Sequence, residues 1–424
     1  MRQEAWVSPS YEAELTTKGV MLMTLLTAAI CLLAVFQQPN FRLAEFELAD
    51  ELARVKLETE LDDGAIRKIR EAVADTVRSS AKQRAAAGRT RSNGLVDLEV
   101  AEAIAREIKE DSGAMARSYF NGWQERRKFF KETAISQAIV VLDQRLLLDT
   151  KQAERIRNVL DTSWPNPEQY PLDLLPYGMP VDNLEAGVPR KFPEELIKPI
   201  LLAPQQTAWK WYVDLIGKMA RKNQFAFERE TLQQASRYHA RILVARYELD
   251  EANTRKLELI QKRNLQTTWS ERTRAYKHMQ QHPGNPLAAL DLEYIAIVPP
   301  DPLLCNPRWP KILRSPLPQQ QQTLFDSECR GRAQRAHDGM MRLVVALVSE
   351  ETPLSARQQV DLHRYLVKSV PVDPRGLRIC LSNYLRIEKL PAKKLDAMLG
   401  TNVGGFRTWI GNAAASLKRP DPKD

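Results

Sequence analysis

Two histidines, His278 and His282, stand four residues apart, the spacing that sets two imidazoles on one face of a helix as a zinc site requires. A metalloprotease would place its general base directly after the first histidine, where this chain has Met279. Pro283 follows His282 and ends the helix there. The pair is thus a candidate for metal and nothing more, with no third ligand in view. His239, His337 and His363 are isolated and read as surface or partly buried residues. The neighbouring acids Asp62-Asp63 and Glu194-Glu195 diverge on a helix and read instead as first-turn acids that offset the helix dipole. The sequence holds no glycine-rich phosphate loop, nucleophile elbow or CxxC pair. No catalytic residue and no cofactor are expected.

The thiols are equally sparing. In an oxidising compartment Cys305 and Cys329 would pair across a modest loop and leave Cys380 over. Three buried thiols is the competing reading.

What the sequence offers in place of a reaction is helix initiation, in duplicate. Leu148-Asp149-Thr150-Lys151-Gln152 and Leu354-Ser355-Ala356-Arg357-Gln358 follow the apolar runs 138–142 and 344–348 at the same spacing. Asp149 and Ser355 suit the N-cap, where a side-chain oxygen accepts from an unpaired helix N–H. Gln152 and Gln358 fall at the third helical position, from which an amide reaches back to the cap residue's own N–H, the capping box. Two more matches keep the same order. The stretch Leu61-Asp62 to Ile69 lines up with Leu249-Asp250 to Leu257, and Phe192-Pro193 to Trp211 lines up with Leu390-Pro391 to Trp409. The chain is therefore expected to be all-α, two degenerate copies of a multi-helix module over 45–217 and 243–412. Residues 218–242 form a connecting helix, exposed over 218–238, and proline-rich loops cover 163–191 and 283–318. Residues 1–18 are an N-terminal tail and 413–424 a polar one. Because Trp209 and Trp211 lie two apart, they cannot face one core together. Trp211 matches Trp409 and is assigned to the core, Trp209 to the surface.

Composition agrees with helices: 17 glycines among 424 residues, and a hydrophobic share of 43%, enough to bury a core. The net charge of +9 is spread among 53 acids. Its densest basic run, Arg126-Arg127-Lys128, reads as a solvated helix face, and no nucleic-acid reading element accompanies it. Residues 19–36 (GVMLMTLLTAAICLLAVF) carry no charge. As a helix they reach about 27 Å, close to a bilayer's hydrocarbon thickness. The expectation is a membrane anchor, favoured over a cleaved signal peptide, with the main body outside the cytoplasm.

The Leu-Asp/Ser-x-x-Gln motif, the stretch 249–258 and the Leu-Pro…Leu…Trp helix at 390–409 together resemble uncharacterised helical repeat proteins of planctomycete bacteria. In the first copy Ala65 stands where that family favours Gln. The same short motif resembles the one carried by small periplasmic stress chaperones. The planctomycete resemblance implies an extracytoplasmic protein and brings no function with it; the lack of a recognisable catalytic site is what makes the expectation non-enzymatic. The expected role is a membrane-anchored interaction or scaffold protein with other proteins as partners. A periplasmic chaperone-like protein is the first alternative and an enzyme of unrecognised type the second.

Overall fold

The computed structural model describes residues 39–59, 61–86, 96–164, 193–219, 224–281, 313–372 and 386–415. Of the described residues 88% are helical and none is in a strand, so the all-α expectation holds. Residues 19–36, most of both proline-rich stretches, His282, Cys305 and Cys380 lie outside the described residues. His278 is on a helix, but its side chain is likewise outside them.

Thirteen helices are described. The first four are α1 (Pro39–Thr59), α2 (Asp63–Ala86), α3 (Leu98–Asp111) and α4 (Gly113–Leu146). Next come α5 (Thr150–Ser163), the single turn α6 (Glu194–Ile197), α7 (Ala203–Met219), α8 (Gln224–Arg246) and α9 (Glu251–Gln281). The last are α10 (Gln319–Glu351), α11 (Ala356–Ser369), α12 (Ala392–Leu399) and α13 (Val403–Ala415). Short 3₁₀ turns, Lys198–Ile200 and Gly400–Asn402, follow α6 and α12.

The apolar spacing dictates which faces turn inward. Val96, Val100, Ile104 and Ile108 recur every fourth residue and are all buried on and just before α3. On α2 the same period buries Ile69, Val73, Val77 and Ala81. These faces close with α1 and the first half of α4, through Tyr119 and Trp123, into one core. A second core begins at Phe129, further along the same helix, and takes in side chains from α5 and from every later helix described. The division of cores thus falls inside α4, between Trp123 and Phe129.

Helices α4 and α10 form the axis of the second core. Where they cross, Ala138 to Leu142 and Leu343 to Ala346 are apolar all round, as a helix sheathed by others must be. Glu132 pairs with Arg342, Gln137 bonds the Gly339 carbonyl and Asp143 meets Arg332, so the two run antiparallel. Gly339 permits the contact: a Cβ there would stand 3.1 Å from Val140 Cγ2.

Three expectations are corrected. Trp209 is fully buried, and its Nε1–H donates to Glu194 Oε1 at 2.8 Å, while Trp211 and Trp409 are the half-buried pair. An acid on the adjoining turn α6 gives the indole N–H a partner inside, which spacing alone does not reveal. Within the stretch expected to be exposed over 218–238, the described residues Leu232, Ala235 and Tyr238 of α8 are buried. His239 and His337 are buried as well, each with Nε2 at a backbone carbonyl, Arg145 O at 3.1 Å and Val367 O at 3.2 Å.

Candidate functional site: the buried charges

The chemistry-bearing side chains that the fold brings together are ions between helices. Arg126, the head of the expected solvated run, is 0% exposed, as is Glu51 of α1, which it meets at 2.5 Å. It also pairs with Glu58. Glu51 accepts from Tyr119 Oη at 3.0 Å and from Arg54 Nη1 at 3.1 Å. Arg54 extends the chain of contacts by donating Nη2 to the Ser349 carbonyl at 2.7 Å, on α10. Burial opposes the charge on Glu51, but Arg126 and then Arg54 outweigh it and hold this carboxyl below its ordinary value. Tyr119 titrates well above the usual phenol range because it is buried and faces the Glu51 anion.

A second cluster ties α4, α8 and α10. Arg332 is buried and meets Asp143 at 3.3 Å and Glu328 at 3.2 Å. Arg335 adds a contact to Asp143 at 2.6 Å. Arg246 and the Tyr247 hydroxyl reach Glu328 at 3.3 Å and 2.7 Å. Burial works against the Arg332 cation, yet Asp143 and Glu328 prevail and keep the guanidinium above its usual range. Beside it, Cys329 is a half-buried thiol whose pKa burial pushes up, the opposite of what a reactive thiolate needs. Cys305 lies outside the described residues, so the Cys305–Cys329 pairing does too.

The sequence-expected capping residues sit beside these clusters. Asp149 Oδ1 accepts from the Gln152 N–H at 2.7 Å, and Gln152 Oε1 accepts from the Asp149 N–H at 3.2 Å. Ser355 Oγ and the Gln358 N–H, 3.3 Å, form the same reciprocal box with Gln358 Oε1 and the Ser355 N–H, 2.9 Å. Each amide has a further use that the motif does not announce. Gln152 Nε2 donates to the Ile200 carbonyl at 3.1 Å, and Gln358 Nε2 donates to the Leu399 carbonyl at 2.9 Å. A second amide closes each lock. Gln205 Nε2 donates to Leu146 O and to Gln152 Oε1. Asn402 Nδ2 donates to Pro353 O and to Gln358 Oε1. The capping glutamine therefore fixes a helix start and also pins the later 3₁₀ turn against it.

A third group lies nearer the surface. His363 of α11 faces Asp338 of α10 at 3.2 Å, and Arg342 links Asp338 to Glu132 of α4. Among the described residues no group of three or more His, Cys, Asp or Glu is placed to hold a metal ion. In each cluster the charged heads face one another across a helix interface. This is the chemistry of attachment between helices, since a buried charge is tolerated only when paired. The buried arginines were not anticipated. Their signal was register: Arg126 and Arg332 stand equally far before Asp149 and Ser355.

Fold and clusters together define an all-helical protein clasped by buried ion pairs and amide locks. Compared with protein-family models, with curated proteins and with solved structures, the chain gives no match.

Proposed function

We propose that this chain is a non-enzymatic scaffold or interaction protein, held at a membrane by residues 19–36, with its main body extracytoplasmic and other proteins as its partners. The observation carrying the reading is the uncharged run of 18 residues at 19–36, longer and more apolar than any other stretch of the sequence. Among the described residues no helix is long and apolar enough to cross a membrane. Engagement of the buried charges in helix-to-helix contacts supports a structural role over a catalytic one. In the same reading the helical body is two copies of one module. Order supports this: a long helix with a buried arginine, a capped helix, a short helix with a 3₁₀ turn and a Trp-bearing helix recur in sequence. On this reading both copies contribute to the core that begins at Phe129, while α1 to α3 of the first copy pack into the other core.

Fractionation of the full chain tests the reading, together with C-terminal reporters active only inside or only outside the cytoplasm. Membrane recovery with an active outside reporter is expected. A freely cytosolic chain would sink the proposal.

A chaperone-like role is the second reading. Its support is the Leu-Asp/Ser-x-x-Gln motif, present as a capping box at Asp149 and at Ser355. Suppression of client aggregation at stoichiometric amounts would distinguish it from a scaffold.

A further inference from the structure

Helix α9 is the one long helix whose described contacts run chiefly to a single neighbour, α8. Its 31 residues span roughly 46 Å at 1.5 Å each. It buries Leu257, Gln261 and Asn264 and turns the other side outward. Along that outer side Arg255, Lys256, Lys262, Arg263, Arg274 and Lys277 are all exposed. At 3.6 residues per turn they fall within an arc of roughly 120°. Arg255 is partnered by Glu251 in the first turn, while Glu258 falls outside the arc by the same count. Leu259 lies inside it and is 61% exposed.

Helix α2 shows that this is not simply what exposed helices here look like. Its outward cations Arg67, Lys68, Arg78 and Lys82 are interleaved on one face with Glu71 and Asp75, and Arg78 pairs with Asp75. The α2 face carries two acids among its four cations, whereas the α9 arc holds six cations with no acid inside it, and a cationic stripe raises the local concentration of polyanions.

We propose that the outer face of α9 docks on an anionic phospholipid surface, its cations against phosphate headgroups and Leu259 at the acyl boundary. A long helix with basic side chains around an apolar one matches a charged lipid interface. The choice of lipid rests on the membrane-held reading, because residues 19–36 would keep the body beside a bilayer.

The test is flotation of the full chain with vesicles of phosphatidylcholine alone, and of a phosphatidylcholine–phosphatidylglycerol mixture. Binding to the neutral vesicles reports residues 19–36, and the gain on adding anionic lipid reports α9. The gain should be about tenfold or more in the lipid concentration for half-binding, and it should shrink as salt rises. The variant Lys262→Gln, Arg263→Gln, Arg274→Gln, Lys277→Gln should lose most of that gain and keep its neutral-vesicle binding. The variant Arg67→Gln, Lys68→Gln, Arg78→Gln, Lys82→Gln removes the same charge from α2 and should keep the gain. Equal loss in both variants would reduce the effect to net charge and overturn the proposal, as would no gain at all. Displacement from anionic vesicles by duplex RNA at lower phosphate concentration would reassign the stripe to nucleic acid. A chain that ignores neutral vesicles but shows the α9-dependent gain would defeat the anchor reading and leave this one standing.

Discussion

Arg126 and Arg332 occupy the same place on two different helices, each buried and each 23 residues ahead of an N-cap residue, Asp149 in one case and Ser355 in the other. Each clasps a carboxylate on a neighbouring helix, Glu51 of α1 for Arg126 and Asp143 of α4 for Arg332. The partners differ because the neighbours do: α4 is flanked by α1, whereas α10 is flanked by α4 itself. A long, always-charged side chain at one fixed register thus serves two separate helix contacts.

Removing one member of such a pair leaves the other charged and dry. Arg126→Met should cost about 3–5 kcal/mol, since Glu51 loses its nearest cation inside a core that excludes water. A denaturant midpoint for the variant checks this. Stability equal to the parent would mean that the pair is not buried in solution. Pairing the change with Glu51→Gln should recover part of the loss, because the stranded anion is then gone.

Acid should undo the same contact with a definite sign. Arg126 and Arg54 outweigh burial and hold Glu51 below its ordinary 4.5 in the folded chain. The stabilisation it contributes is therefore fully present above about pH 4.5 and is lost as pH falls through the lower, folded value. Stability measured at steps below pH 4.5 should fall more steeply for the parent than for Glu51→Gln. Parallel slopes would show that Glu51 titrates normally.

The capping boxes make a milder prediction. Ser355→Ala removes the acceptor for the Gln358 N–H and should cost roughly 0.5–2 kcal/mol. Gln358→Leu should cost more than the cap alone, about 1–3 kcal/mol, because the Leu399 carbonyl and Asn402 lose a partner as well. If thermal unfolding ranks the two variants the other way, the lock to the 3₁₀ turn contributes nothing.

These contacts show where sequence reading succeeded and where it stopped. Asp149, Gln152, Ser355 and Gln358 were legible because capping is local: cap and amide lie three residues apart, and only the helix start decides the geometry. Helix faces such as Val96 to Ile108 were legible for the same reason. Trp209 was misplaced because its partner, Glu194, arrives from another element. Arg126 was misread as solvated for a like reason, since Glu51 lies on α1 and Glu58 at that helix's end. Pairing across helices has no period in the sequence, so charge patterning along one helix could not show it.

The crossing of α4 and α10 gives the last prediction. Gly339 lies mid-helix, where glycine ordinarily costs about 0.5–1 kcal/mol relative to alanine. Something at this position must offset that cost, and close approach is the visible cause. A Cβ at 339 would meet Val140 Cγ2 at 3.1 Å and Gln137 Nε2 at 3.4 Å, and Gln137 already donates to the Gly339 carbonyl. Gly339→Ala should therefore be near neutral, its gain in helix propensity set against a small shift of Val140. Gly339→Val has no such balance: its branched side chain must push α4 away and should destabilise by about 1–3 kcal/mol. Val140→Ala, which costs stability alone by leaving a cavity, should cost less when combined with Gly339→Val, because the new methyls fill the space. Denaturant midpoints for the two single variants and the double variant give the coupling directly. Strict additivity would mean that residues 140 and 339 do not touch, and the antiparallel packing of α4 on α10 would have to be redrawn.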